Sequence, residues 1–130
     1  MEYKFRGKRI DTKEFVYGFY GECDDQKFIV QYEKDFGICG SRTWNVLPET
    51  VGQYTGLTDR NGKEVYEGDI LRHMGSPSYT DIYIVWDEYT ASFGWLSVEW
   101  VRTQGKVRKI ESLGLDYYEV VGNIHTEVGK

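Results

Sequence analysis

The sequence predicts an all-β protein, because aromatic residues and glycines are abundant and apolar residues do not repeat with a helical period. Of the 130 residues, 16% are Phe, Trp or Tyr and 15 are Gly, but only two are Pro. Aromatic side chains favour pleated strands and glycine favours tight turns. About eight short strands in a single domain, residues 1–130, favour a barrel or a sandwich.

The first half of the chain is expected to form hairpins joined by polar turns. Its predicted strands are 3–10, 15–20, 27–32 and 43–47. Residues 11–14 and 21–26 are polar and read as turns, and residues 33–42, with two Gly, are expected to form a loop. Pro48 suits the first position of a helix, which predicts one helical turn at 48–53.

The second half contains further β-prone segments and one strong strand. Its predicted strands are 69–74, 80–88, 92–101 and 117–125, and the segments 53–57 and 63–66 are β-prone. In 80–88 the apolar residues occupy both strand faces, which predicts a central strand buried on both sides. Gly94 is expected to mark a bulge. A turn at 67–69 that leads into a meander favours a small bent barrel of SH3-like character, with extra hairpins and at most a short helix.

Charge and composition exclude several classes of function. The formal net charge of -5 does not favour binding to nucleic acid or to an anionic membrane. The chain starts without an apolar leader, and its apolar runs are too short to span a bilayer. We therefore expect a reducing cytoplasm, in which Cys23 and Cys39 are free thiols.

Residues 59–70 raise the question of a calcium loop, because acidic residues alternate with glycines. An EF-hand that starts at Asp59 would place Lys63 at its fifth position and Ile70 at its twelfth, where oxygen ligands are required. Gly62 would also fall two positions early. The ligand set fails, so a hairpin turn is the better interpretation: Asp59 accepts backbone N–H groups, and Gly62 takes the left-handed position of a bulged turn after Asn61.

Glu67 and Asp69 form a second acidic candidate, because residues two apart in a strand share a face and could act as acid and base. Gly68 lies between them, however, and the Glu-Gly-Asp sequence is turn-prone. We expect Asp69 to hold a tight turn by accepting backbone N–H bonds, and we predict no enzyme activity.

No metal or cofactor site is expected. The only Cys and His residues are Cys23, Cys39, His73 and His125. Zinc ligands normally occur as close pairs, whereas every gap here is long. No glycine-rich phosphate-binding motif is present either.

One segment offers a nucleic-acid alternative. Residues 101–109 carry four cations and no acid: Arg102, Lys106, Arg108 and Lys109. Trp95 and Trp100 lie just upstream, and basic loops beside exposed aromatic rings can bind single strands. The competing interpretation is a solvated hairpin tip above buried tryptophans.

The segment TGLTDRNGKEVYEGDIL (residues 55–71), which we call the central signature, resembles the signature of the YopX family. The segments at 4–9, 16–18 and 119–125 are similar to other conserved parts of that family, whereas the tail after residue 125 departs from it. The signature positions are mainly of turn-forming type: Gly56, Asp59, Asn61, Gly62, Tyr66, Glu67, Gly68 and Asp69. Of these positions, Tyr66 and Glu67 are the two whose residue types turn geometry explains least.

The resemblance implies a mostly β protein encoded by a bacteriophage or prophage, and it carries over no catalytic residue. We therefore expect a non-enzymatic accessory protein that binds a protein partner or itself, since Tyr and Trp exceed what one small core needs. Nucleic-acid binding through residues 101–109 is the alternative, and catalysis by Glu67 and Asp69 is a third.

Overall fold

The computed structural model describes residues 4–35, 38–75, 81–88, 91–97, 107–110 and 113–127, without the side chains of 33–39 and 126–127. Contacts between Cα atoms divide the chain into two compact units, Met1–Tyr54 and Thr55–Lys130. The expectation of a single domain stays a prediction.

The first unit is an antiparallel sheet with the strand order β4-β3-β2-β1-β5. Its strands are β1 (Phe5–Lys8), β2 (Phe15–Cys23), β3 (Gln26–Asp35), β4 (Ile38–Val46) and the start of β5 (Gly52–Thr58). The helical turn predicted near Pro48 is present as a 3₁₀ turn, Pro48–Thr50. The Thr50 hydroxyl accepts the Lys8 N–H at 2.9 Å, which ties this turn to the end of β1.

The prediction of a loop at residues 33–42 was wrong, because β3 and β4 continue through most of this segment. Their ladder runs without interruption to the pair Asp35 and Ile38. Sequence composition predicted a loop because the segment is polar and contains two Gly. Pairing with a neighbouring strand outweighs that local preference, since β propensity depends strongly on the partner strand.

The sheet of the first unit curls until β4 meets the end of β1. Arg9 and Val46 form an isolated antiparallel bridge, and the Leu47 N–H donates to the Lys8 carbonyl at 2.9 Å.

The all-β prediction is confirmed, but the described strands form two open antiparallel sheets and not a closed barrel. A single bridge is too little pairing to close one. The SH3-like character stays a prediction.

The second unit contains the end of β5 and a five-stranded sheet with the order β10-β9-β8-β7-β11. Beside β5 lies β6 (Glu64–Tyr66), and the sheet is built from β7 (Asp69–His73), β8 (Ile82–Asp87), β9 (Ser92–Ser97), β10 (Arg108–Lys109) and β11 (Tyr118–Asn123). A 3₁₀ turn, Leu115–Tyr117, precedes β11, and the four-residue helix α1 (Ile124–Glu127) follows it.

The prediction that β8 is central is confirmed. It is the middle strand of its sheet; Ile82 and Ile84 are buried on one face, and Tyr83 and Val85 are half-buried on the other. Of these four, Ile82 and Ile84 belong to a core whose other buried members are Val65, Leu71, Ile110, Leu113 and Tyr118.

The bulge predicted at Gly94 was wrong, because β8 and β9 pair in regular register through that position. The register shift occurs instead in β11, between Val120 and Gly122. A Cβ atom at Gly94 would lie 2.6 Å from the Arg108 carbonyl oxygen, so glycine permits the close approach of β10.

Within the described ranges, no helix has the length and apolar character needed to cross a membrane.

Candidate functional site

The first half of the central signature forms the hairpin turn predicted from its sequence. The Gly62 N–H donates to the Asp59 carbonyl at 3.0 Å, and the Asp59 N–H donates to the Lys63 carbonyl at 2.9 Å. Gly62 has a φ of 81°, which favours glycine, whereas Asn61 is not among the residues with positive φ. The turn is therefore the bulged type, with only its glycine in the left-handed region.

The Asp59 carboxylate connects this turn to β11. Its Oδ1 atom accepts the N–H groups of Asn61 at 2.8 Å and Lys63 at 3.0 Å. Its Oδ2 atom accepts the Val120 N–H at 2.9 Å, although Val120 lies 61 positions further along the chain. The Arg60 N–H also donates to the Tyr118 carbonyl at 3.0 Å. We call these contacts of Asp59 and Arg60 the Asp59 clasp.

Asp59 is buried, with 7% of its surface exposed, and it functions there as a charged acceptor. Burial raises the pKa of Asp59, but the N–H groups of Val120, Lys63 and Asn61 favour the carboxylate and outweigh that effect. The pKa of Asp59 consequently lies below its ordinary value. These contacts are those of a structural carboxylate.

The second half of the signature forms the predicted re-entry turn. The Tyr66 N–H donates to Asp69 Oδ2 at 2.7 Å, and Asp69 is only 2% exposed. Gly68 has a φ of 91°, its N–H donates to the Ile84 carbonyl at 2.8 Å, and its carbonyl accepts the Ile124 N–H at 2.9 Å. The turn is thereby held between β8 and α1.

The structure explains Tyr66, which turn geometry alone did not. Its ring is buried, with 2% exposure, and its hydroxyl donates to Glu64 Oε1 at 3.1 Å. Glu67 is half-buried in the turn. Gly56, the remaining signature position, has a φ of 87° near the end of β5. The described contacts of Asp69 serve the turn, and the absence of enzyme activity stays a prediction.

The basic segment is described only at its end, since Trp100, Arg102 and Lys106 lie outside the described residues. Arg108 pairs with Trp95 across β10 and β9, and its guanidinium carbon lies 5.7 Å from the ring centroid. Lys109 pairs with Gly94 and points to the opposite face, because neighbouring strand residues alternate. The two described cations therefore do not converge.

The Cys and His residues lie on four different elements: Cys23 on β2, Cys39 on β4, His73 on β7 and His125 on α1. His73 stacks on Tyr117 and accepts the Gly75 N–H at Nδ1, and Cys23 is exposed. Cys23 pairs with Gln26 and Cys39 with Lys34. These positions on β3 lie roughly 26 Å apart, so a disulfide within the chain is excluded. In the described part of the chain, no three His, Cys, Asp or Glu side chains are grouped to hold a metal.

The first unit carries a surface that sequence reasoning missed. Three aromatic side chains on one face of β2 and β3 are exposed: Tyr17 by 43%, Phe19 by 53% and Tyr32 by 69%. Half-buried Phe15, Phe28 and Val30 lie on the same face, because residues that pair across antiparallel strands share a face. We call these six residues the aromatic face.

Four rings of the aromatic face pack in two pairs. The Phe19 and Tyr32 rings meet edge to face at 5.4 Å, and those of Phe15 and Tyr17 lie 6.4 Å apart. The buried Ile29 and Val46 lie on the opposite face of the sheet. The three exposed rings therefore lie on the face of the sheet opposite to these buried residues.

The size of this patch is comparable to that of the largest apolar patch on an ordinary monomeric protein. An aromatic side chain buries about 150–250 Å² when enclosed, so the exposed fractions correspond to roughly 300 Å² in total. The largest apolar patch of a monomer is about that size and is often functional. Its signal in the sequence was the apolar character of both strand faces in residues 15–20.

Comparison with known proteins agrees with the resemblance of the central signature. A family model described as "YopX protein" matches residues 4–128. No curated protein matches the chain. The crystal structure of protein EF1440 from Enterococcus faecalis is similar, with a TM-score of 0.58 and 24% sequence identity. That similarity covers 98% of this chain and 96% of the other, and it concerns the fold alone.

Proposed function

This chain belongs to the YopX family, and we propose that it is a bacteriophage or prophage accessory protein that acts by binding another protein molecule. The observation that supports this proposal is the aromatic face, whose three exposed rings lie on one face of β2 and β3. Tyr and Phe are enriched at protein interfaces because a rigid ring covers a large area with little loss of entropy.

Binding also fits the arrangement of the central signature better than catalysis does. Its buried carboxylates, Asp59 and Asp69, accept backbone N–H groups within turns. A general acid or base must instead reach the substrate. We place the protein in the cytoplasm of the bacterial host, where its partner is another protein or a second copy of this chain.

Affinity purification from infected or induced cells, with nuclease treatment, tests this proposal. The variant Tyr17→Ser/Phe19→Ser/Tyr32→Ser should lose the bound protein. The control is Tyr117→Ser, which removes a ring that is 62% exposed in the second unit. Recovery of the same proteins with the triple variant would contradict the proposal. Analytical ultracentrifugation of both variants shows whether the partner is a second copy.

A second candidate function is binding of single-stranded nucleic acid through residues 101–109. The observation that favours it is the cross-strand pair of Arg108 and Trp95, because a cation beside an aromatic ring suits both phosphate and base. The variant Arg102→Ala/Lys106→Ala/Arg108→Ala/Lys109→Ala should abolish salt-sensitive binding of oligothymidylate. No binding by the wild type at low salt would exclude this candidate.

A further inference from the structure

We propose that the outer edge of β4 binds a second copy of this chain by strand pairing. The strand lies at one end of its sheet, so β3 covers only one of its two sides. Residues 40–43 of this strand are all exposed. None of them belongs to the aromatic face, and the inference therefore goes beyond the proposed function.

The backbone groups of Ser41 and Thr43 point away from β3. Further along the strand, the Asn45 carbonyl accepts the Ile10 N–H at 3.1 Å, so Asn45 faces outward from the sheet. Alternate residues of an antiparallel strand direct their N–H and C=O groups the same way. Within the described residues, the outward groups of Ser41 and Thr43 make no hydrogen bond.

The strand β4 lacks the features that usually protect an edge. Natural edge strands are short or bulged, or they carry Pro or Lys. In contrast, β4 is nine residues long, contains neither Pro nor Lys, and pairs with β3 in unbroken register. The bridge between Arg9 and Val46 covers only its last part. The residues up to Thr43 therefore form a template on which another strand can pair.

A second copy fits this edge best in one register about a two-fold axis. With the axis at Ser41, Arg42 of each copy lies opposite Gly40 of the other, where a Cβ atom would meet no neighbour within 4 Å. An axis at Arg42 would place like charges directly opposite each other, which is unfavourable. An axis at Thr43 would place Ser41 opposite Asn45, whose carbonyl already accepts a hydrogen bond.

The space beyond Thr43 also admits a partner strand. A cavity of about 340 Å³ lies where the end of β4 approaches the turn after β1, and its lining residues are Arg9, Ile10, Asp11, Thr43, Trp44 and Asn45. A strand that pairs with Thr43 therefore has room to continue past it.

This pairing brings two aromatic faces together on one side of a continuous sheet. Ser41 pairs with Tyr32 and Thr43 with Val30, so the outward-facing residues of β4 share a face with the exposed rings. A two-fold axis perpendicular to the sheet keeps that face on the same side in both copies. The dimer thus enlarges the apolar surface and covers the open edge.

Analytical ultracentrifugation of the full chain over a range of concentrations tests this proposal. We expect a reversible dimer whose association Thr43→Pro weakens at least about tenfold, because proline removes an outward N–H group and its hydrogen bond. Proline is tolerated at an edge when the lost N–H faces away from the neighbouring strand, so the ladder with β3 is kept. The control Thr43→Ala keeps the N–H group and should associate as the wild type does.

Amide hydrogen exchange of the wild type gives a second test that needs no variant. The Ser41 and Thr43 amides should exchange more slowly as the protein concentration rises, because the second copy supplies their acceptors. The Arg42 amide faces β3, where it pairs with Gln31, and its exchange should change much less.

The outcomes separate pairing at this edge from the alternatives. A monomer at every concentration, or a dimer that Thr43→Pro leaves intact, overturns the inference. A dimer that only the variant Tyr17→Ser/Phe19→Ser/Tyr32→Ser abolishes assigns self-association to the aromatic face instead. If Thr43→Pro fails to fold, the exchange measurement decides, because Ser41 and Thr43 amides that do not respond to concentration overturn the inference. The proposed function is tested separately, by the proteins that the aromatic face captures.

Discussion

The Asp59 clasp predicts that the replacement Asp59→Ala loosens the contact between the hairpin turn and β11. The change removes one carboxylate and leaves three N–H groups, those of Asn61, Lys63 and Val120, without their acceptor. The protein should remain folded but become measurably less stable. Asp59→Asn should lie between the wild type and the alanine variant.

The expected loss follows from the three hydrogen bonds. A hydrogen bond to a charged group stabilises a protein by about 1.5–3 kcal/mol. Asn61 and Lys63 are exposed, so water can replace the acceptor for their N–H groups, whereas Val120 is half-buried. We therefore expect Asp59→Ala to reduce the free energy of unfolding by about 3 kcal/mol. Asp59→Asn keeps one oxygen but turns an amide towards Val120, for a loss of about 2 kcal/mol.

Urea unfolding measures the total loss, and amide hydrogen exchange locates it. In Asp59→Ala the Val120 amide should exchange faster, because its acceptor is gone. The control Asp116→Asn changes an exposed carboxylate in the same unit and should stay within about 0.5 kcal/mol of the wild type.

The stability conferred by Asp59 should also depend on pH in a defined direction. Its pKa in the folded protein is lowered, so the unfolded chain binds a proton more readily. The contribution is fully present above the ordinary Asp pKa of about 3.9 and is lost as the pH falls through the lower folded value. The stability gap between wild type and Asp59→Asn should narrow over that range. Unchanged Val120 protection in Asp59→Ala, or a gap that widens in acid, would refute the clasp.

Other substitutions test the packing of each unit. Gly18→Ala should cost roughly 3 kcal/mol or more in urea unfolding, because its Cβ would lie 2.3 Å from a carbonyl oxygen of β3; Gly62→Ala meets no neighbour and should cost only about 1 kcal/mol for its positive φ. Equal costs would contradict this difference. Ile84→Ala should cost about 3 kcal/mol, since Ile84 is fully buried in the core of the second unit. Tyr32→Ser should change the unfolding free energy by less than about 1 kcal/mol, because the ring is 69% exposed; a larger loss would mean that the aromatic face serves folding.

The turns of the central signature could be predicted from the sequence because they depend on local chemistry. The roles of Asp59, Gly62 and Asp69 follow from what a short polar side chain and a glycine do within four residues of chain, and the structure places each of them accordingly. The central position of β8 could be predicted for a related reason: apolar residues occupy both of its faces, although Trp86 at its end is exposed.

Pairing between strands that lie far apart in the sequence could not be predicted in the same way. The extension of β3 and β4 through residues 33–42 and the close approach of β10 to Gly94 depend on partner strands. The aromatic face was hidden because β2 is apolar on both faces. Which face of β2 points inward is set by pairing, as in the pair of Tyr20 and Ile29. A single sequence does not specify that register.

The hydrogen bonds of the Asp59 clasp must form in a fixed order while the chain is synthesised. Oδ1 of Asp59 bonds to residues two and four positions away, so this half of the clasp can form as soon as the turn leaves the ribosome. Oδ2 must wait for Val120, which is made 61 residues later. Until then the second unit lacks β11, an edge strand of its sheet, and β7 lacks the partner that covers it. The nascent protein thus passes through a stage in which its most recognisable segment is complete while its second sheet still presents an open edge.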